Sequence, residues 1–401
     1  MSAPRGYATW LIALVAATSV VTFGLNTWVN PWRVTTLPWS SKKADPYRDI
    51  SSQIRTAKAG MVRSATHLKV AFFGSSRVAN AMNPSDSHWP RDGVLNLGCS
   101  GGFIYESVGM FQYTMARQPL ELAFLGVDPG DLTSDLDTRP MGDFYTSPLT
   151  GSGDVNRELR YLIGVSTAEE SVETLKRFSH GELPQYDERG MRVRSRKPPG
   201  RPQISFIREQ IAGEAEFGLL ATGRDGAEIR GEKIRLLEEL LNDSRAHGIR
   251  VLLYFHPTHA LRHLRASDAD DPPILFENER RALVDVVERV NAKLSGGPLV
   301  ELWDFQHAHP LNCDPLPVGD GDMDHWTDLE HYTVEVGGIM QARMMGWELD
   351  ENVDYGRKLT ADALGSWLEE VRASYGAYVR GAGSPDIAWK EELIGSAARK
   401  N

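Results

Sequence analysis

The stretch VAFFGSSRVANAMNP, residues 70–84, decides the fold. Val70 to Phe73 is a short, unbroken apolar run, which fits a strand buried on both faces. Gly74 ends it. Two serines and an arginine follow, and then a segment able to begin a helix. A strand that turns directly into a helix in this way suits a parallel sheet. The serines have two readings. One is a helix cap, a common role for Ser at such a corner. The other is a nucleophile held at the mouth of a sheet, with Ser76 ahead of Ser75. The corner alone leaves both open.

Working outward, the pattern repeats. GVLNLG (93–98), LELAFLGVD (120–128), RVLLYFHP (250–257) and LVELWDF (299–305) are further short apolar runs. Between them, residues 103–117, 231–249 and 277–297 carry apolar side chains at helical spacing, and the last two end on glycine stops. HYTVEVGGIMQARMMG (331–346) reads as a closing helix. Strands alternating with helices predict an α/β fold, a three-layer doubly wound parallel sheet. Sites in such sheets lie beyond the carboxyl ends of the strands. The domain is expected over 65–348. Within it, 131–229 reads as an insertion between the third and fourth strands. The basic run RGMRVRSRKPPGRP (189–202) reads as a solvated loop, ahead of a contact with anionic polymer or lipid. Residues 349–401 read as a helical extension packed on the outside.

The N-terminus has its own message. No charged side chain occurs between Arg5 and Arg33. A membrane-spanning helix needs roughly 20 mostly apolar residues, and this run supplies them. Tyr7 and Trp10 lie near one end, Trp28 and Trp32 near the other, as in interfacial aromatic belts. A cleaved signal peptide is the alternative. The apolar core is long for one, and Asn26 to Trp32 is a poor cleavage region. Residues 1–33 are therefore expected to anchor the chain, and 34–64 to form a linker with some helix. Counting Arg33, Lys42, Lys43 and Arg48 beyond the span against Arg5 before it would put the C-terminal side in the cytoplasm.

The chain has 401 residues and a net charge of −10, with no concentrated basic face, which argues against a nucleic-acid binder. Its two cysteines, Cys99 and Cys313, cannot build a disulfide scaffold; whether they form a single bridge stays open.

The chemistry sits in DHWTDLEHYTVEVGG, residues 324–338. Asp328 and His331 are three apart, so in a turn or first helical turn they share one side. An acid can then orient an imidazole, and the imidazole can take a proton from a hydroxyl brought by a distant strand end. Asp328 has capping the next helix as a compatible second role. The glycines of NLGCSGG (96–102) let a backbone N–H approach a reacting oxygen closely, and Ser76 at a helix start adds its own.

The ordered set FFGSSR (72–77), NLGCSGG (96–102), LGVDPGDL (125–132) and DLEHYTVEVGG (328–338) resembles the SGNH/GDSL hydrolase superfamily. More narrowly, it resembles membrane-anchored bacterial members with Gly-Ser-Ser in place of Gly-Asp-Ser. The likeness covers roughly residues 65–345. It implies a flavodoxin-like SGNH fold with Ser76 as nucleophile, His331 as base, Asp328 as its acid partner, and the N–H groups of Ser76 and Gly101 as oxyanion donors. It also implies a domain outside the cytoplasm, against the charge count, with the helix in the inner membrane. One departure stands out. The family's Gly-x-Asn-Asp, whose Asn donates to the oxyanion, is here Gly126-Val127-Asp128-Pro129, and a carboxylate cannot donate. Asp128 is expected instead to pair with Arg77 as a bidentate brace.

His256 and His259, in FHPTHA (255–260), are candidate site-lining residues, with ordinary hydrogen-bonded histidines as the simpler reading. HAHP (307–310) with Asp322, Asp324 and His325 matches no tight metal-ligand spacing. No metal or other cofactor is expected. The expected activity is a membrane-anchored serine esterase removing acyl groups from an extracytoplasmic glycan or lipid. The alternatives are an O-acyltransferase acting on an exported polysaccharide beside a membrane acyl donor, and a non-catalytic glycan-binding or assembly protein.

Overall fold

The computed structural model describes residues 3–133, 142–150, 155–193, 200–221, 223–224, 227–293, 299–349 and 353–398. A long helix, α1 (Ala3–Val29), comes first, then α2 (Ile54–Ser64). The core follows as β1 (Val70–Phe73), α3 (Ser76–Ala81), β2 (Val94–Asn96), α4 (Ile104–Met115) and β3 (Leu122–Val127). Three helices lie between β3 and β4: α5 (Val155–Ile163), α6 (Val165–His180) and α7 (Gln203–Glu216). Then come α8 (Gly231–Ala246), β4 (Arg250–Phe255), α9 (Glu277–Lys293), β5 (Glu301–Asp304) and α10 (Val334–Met345). The chain closes with β6 (Arg357–Leu359), α11 (Ala361–Arg380) and α12 (Ser384–Ala398).

The protein is mixed α/β, with one six-stranded sheet in the order β2-β1-β3-β4-β5-β6. The first five strands are parallel and β6 is antiparallel. Strand order reverses between β1 and β3, and the crevice at such a switch point is where ligands bind in open α/β sheets. Right-handed crossovers put α3 on one face of the sheet and α4, α8 and α9 on the other. The contacts agree: α4 meets α8, α8 meets α9, and α3 packs with α10.

The apolar runs become buried strands for the expected reason. Every residue of β1 and β3 is buried. Phe72 sits against Phe124, and Phe73 stacks on Phe111 of α4 at 4.5 Å between ring centres. Residues 34–64 are more than a tether, because α2 buries Ile54, Ala57, Met61 and Val62. The C-terminal region also reaches inward. It adds β6 to the sheet edge, and the Trp367 indole N–H donates to Asp304 Oδ2 at 2.6 Å. Within 131–229, α5 and α6 pack on α1, while α7 packs on α12. Of the basic run, 194–199 lie outside the described residues. Arg189 and Arg192 dock on the α3 side, donating to Pro84 O and Ala79 O at 2.7 Å each.

Candidate active site

The β1–α3 corner needs Gly74. Its φ of 148° is disfavoured for a side chain, and a Cβ there would lie 2.5 Å from Val78 Cγ2 and 3.2 Å from Gly126 O. The corner is pressed between its own helix and the end of β3. Ser75 is the N-cap of α3: its Oγ accepts from Arg77 N at 3.2 Å. The same hydroxyl donates to Asp128 Oδ1 at 2.9 Å. Both of its hydrogen-bonding roles are thus taken up locally. Ser76, the next residue, is only half-buried, and its Oγ lies 2.8 Å from His331 Nε2.

His331 is brought there by a tight turn rather than by a helix. Trp326 and Tyr332 form an antiparallel bridge, and Thr327 N donates to His331 O at 2.8 Å. Inside this turn Asp328 Oδ1 accepts from Glu330 N at 2.7 Å and His331 N at 2.9 Å. Asp128 and Asp328 are distinct carboxylates, and it is Asp328 whose Oδ2 faces His331 Nδ1 at 2.8 Å. Asp328 does not cap the following helix; Thr333 occupies the N-cap of α10. Burial alone would raise the Asp328 carboxyl. His331 and the two backbone N–H groups more than offset that and hold it down at about 2. An ionised carboxylate at Nδ1 fixes the proton there. Nε2 is then a bare acceptor for the Ser76 hydroxyl proton. Asp328 and His331 are both buried, so the pair is shielded from water.

Gly101 stands in the loop after β2, exposed, with a left-handed φ of 67°. The loop is tied to the corner, since Cys99 N donates to Gly74 O at 2.8 Å. Gly98 packs closely enough that a Cβ would sit 2.7 Å from Ala79 N.

Asp128 and Arg77 are an ion pair, Oδ2 to Nη1, at 2.9 Å. The guanidinium fork is not closed on one carboxylate as expected. It is split, because Arg77 Nε donates to Glu330 O at 2.9 Å. Arg77 therefore ties the end of β3 to the turn that carries His331. Burial alone would raise the Asp128 carboxyl, but Arg77, His256 and the Ser75 hydroxyl hold it below the usual carboxylate range. His256 lies behind this pair, fully buried. Its Nδ1 is 2.8 Å from the Tyr332 hydroxyl and its Nε2 is 3.6 Å from Asp128 Oδ1. Burial, with Arg77 and His331 nearby, pushes its imidazole down to about 3, so it is neutral. His259 supports the site through its backbone, donating from N to Leu329 O at 3.2 Å, while its ring turns elsewhere. It caps a short turn, accepting from Leu261 N, and its Nε2 meets Asp314 O at 2.8 Å.

Several supports were invisible in the sequence reading. Arg262 Nη2 meets Glu330 Oε1 at 2.5 Å, and its Nε meets Glu214 Oε2 at 2.9 Å. From α7, Gln210 Oε1 accepts from Leu329 N at 3.1 Å, and Gln203 Oε1 accepts from Met323 N at 2.6 Å. The region read as an insertion thus holds the turn that carries His331. The one available signal was spacing: 203, 210 and 214 recur on a single helical face.

Cys99 and Cys313 are both free thiols. The single bridge left open by the sequence is therefore not formed. Among the described residues, no group of three His, Cys, Asp or Glu side chains is placed to hold a metal ion.

No protein-family model matches the chain, and no curated protein matches it. The chemistry of the site rests on its own geometry.

Proposed function

We propose that this protein is a membrane-anchored serine esterase of SGNH/GDSL type. The observation that carries the proposal is the continuous chain Ser76 Oγ to His331 Nε2 at 2.8 Å and His331 Nδ1 to Asp328 Oδ2 at 2.8 Å. Ser76 attacks an ester carbonyl and His331 takes the hydroxyl proton. Asp328 holds the imidazole and offsets the charge it gains. The amides of Ser76 and Gly101 receive the developing oxyanion. Collapse passes the proton from His331 to the departing alkoxide. Water, deprotonated by the same ring, then releases the acid and restores Ser76.

The pairing of Asp128 with Arg77 supports this reading. It occupies the carboxylate that would otherwise repel an oxyanion, and it occupies the Ser75 hydroxyl too. The resemblance of the ordered motifs points to acyl groups on an extracytoplasmic glycan or lipid. On the same resemblance, the proposal has α1 in the inner membrane and the domain on the periplasmic side.

The test is covalent labelling of the full chain in detergent by a fluorophosphonate, with hydrolysis of a small acetyl ester measured in parallel. Wild type and Ser75→Ala are expected to label, and Ser76→Ala to remain unlabelled and inactive. An unlabelled, folded wild type, or a labelled Ser76→Ala, overturns the proposal.

A further inference from the structure

The helix α1 and the domain are not joined by a free linker. Asn26, in the last turn of α1, is buried. Its side-chain amide donates to Leu162 O at 3.1 Å and Gly164 O at 3.2 Å, and its Oδ1 accepts from Ser171 Oγ at 3.2 Å. This one amide of a mostly apolar helix thus caps the carboxyl end of α5 and reaches into α6. In the same turn, Trp39 Nε1 donates to Thr27 Oγ1 at 3.3 Å, and Arg48 Nε donates to Val29 O at 3.0 Å. The base of α1 is bolted to the domain at several points.

This fixes a level. The apolar span runs Gly6–Val29, 24 residues long. A hydrocarbon core of roughly 30 Å takes about 20 residues at 1.5 Å each, which Gly6 to Leu25 fill. Asn26 then falls among the headgroups, and so does the α5–α6 corner it holds. At that corner Ile163 is 46% exposed and Val165 73% exposed. Around the same base stand Trp28 and Trp39, 46% and 54% exposed. Moving apolar side chains out of bulk water into an apolar environment is favourable. Aromatic rings with one polar atom favour the headgroup zone.

We infer that Ile163, Val165, Trp28 and Trp39 form a collar that contacts the lipid bilayer and seats the domain on the membrane. The inference rests on reading α1 as membrane-spanning. It adds that the domain meets the lipid itself instead of swinging on a tether. Continuity with α1 selects the occupant: whatever surrounds the exposed helix at Phe23 and Gly24 also surrounds a corner hydrogen-bonded to Asn26.

The test uses the full chain in phosphatidylcholine–phosphatidylglycerol vesicles. Single cysteines are placed at Ile163, Val165, Leu14 and Val318 in a Cys313→Ser background, with Cys99 buried, and carry an environment-sensitive fluorophore. Leu14 reports the middle of α1, and Val318, 92% exposed, reports a water-facing loop. Emission at 163, 165 and 14 is expected to fall by roughly half or more when the acyl chains are brominated, since collar residues sit about 5–10 Å into the headgroup–acyl boundary. Emission at 318 should respond only to aqueous iodide. If 14 is quenched by the lipid while 163 and 165 respond to iodide, the anchor stands and the collar is wrong. If 163 and 165 respond to neither quencher, another protein or a second copy covers them, and the collar is again wrong. If 14 itself is not quenched by the lipid, the span and the collar fail together.

Discussion

Arg77→Met probes the ion pair at the root of the site. Arg77 and Asp128 have side chains only 7% and 17% exposed, with Nη1 and Oδ2 at 2.9 Å. With charge centres about 4 Å apart and an effective dielectric of about 20, their attraction is about 4 kcal/mol. Most of that offsets the desolvation of both ions, so the intact pair adds little net stability. Removing one partner is different. Arg77→Met leaves the Asp128 carboxylate buried beside a hydroxyl and a neutral His256, and also frees Glu330 O. The expected loss is about 3–5 kcal/mol. Asp128→Asn keeps the shape and leaves Arg77 its bond to Glu330 O, so its loss should be smaller, about 1–3 kcal/mol. In the double variant no charge is left unpaired between them. Its loss should fall short of the summed single losses by about 2 kcal/mol or more. Urea unfolding of the detergent-solubilised chain, followed by circular dichroism, measures all four corners of the cycle. Fluorophosphonate labelling should slow in Arg77→Met, because the turn carrying His331 loses its tie to α3. Additivity within about 0.5 kcal/mol refutes the brace. So does an Asp128→Asn variant of unchanged stability that labels faster than wild type.

Two further outcomes follow from the same geometry. Asp328→Asn should leave the fold intact but present an amide to His331, favouring the wrong tautomer; labelling and ester hydrolysis should drop by on the order of 10⁴, and a drop of less than about tenfold would remove Asp328 from its assigned role. His256 is neutral in the fold, held down to about 3 against 6.5, so the unfolded chain takes up the proton first. Its stability contribution is complete above pH 6.5 and is lost as pH falls toward 3, about 2 kcal/mol of it by pH 5. The stability difference between wild type and His256→Gln should therefore shift against wild type by that amount between pH 7 and pH 5. Parallel curves would show that burial does not hold this ring neutral.

What the sequence settled by itself was local. Val70–Phe73 and Leu122–Val127 are strands because short, wholly apolar runs have no exposed face to offer. Helices α8 and α9 follow from their spacing, with Gly248 stopping α8, and α1 from a charge-free run longer than the hydrocarbon core of a bilayer is thick; the glycine stop read at 296–297 lies outside the described residues. The closeness of Asp328 to His331 was also legible, since they stand three positions apart. The meeting of Ser76 with His331, 255 residues apart, was suggested by motif order, and only the folded chain supplied the distance. Other features had no local signature. Arg77 splits its guanidinium between Asp128 and Glu330 because β3 and the distant His331 turn converge on α3. Gln203 and Gln210 support that turn because α7 folds back over it. Asn26 reads as one of several polar residues in a mostly apolar helix until α5 and α6 close around it. Local pattern follows from backbone geometry and apolar periodicity, which a short window contains. Partner choice by buried polar groups depends on which distant segments the sheet order places side by side, and only the tertiary structure decides that.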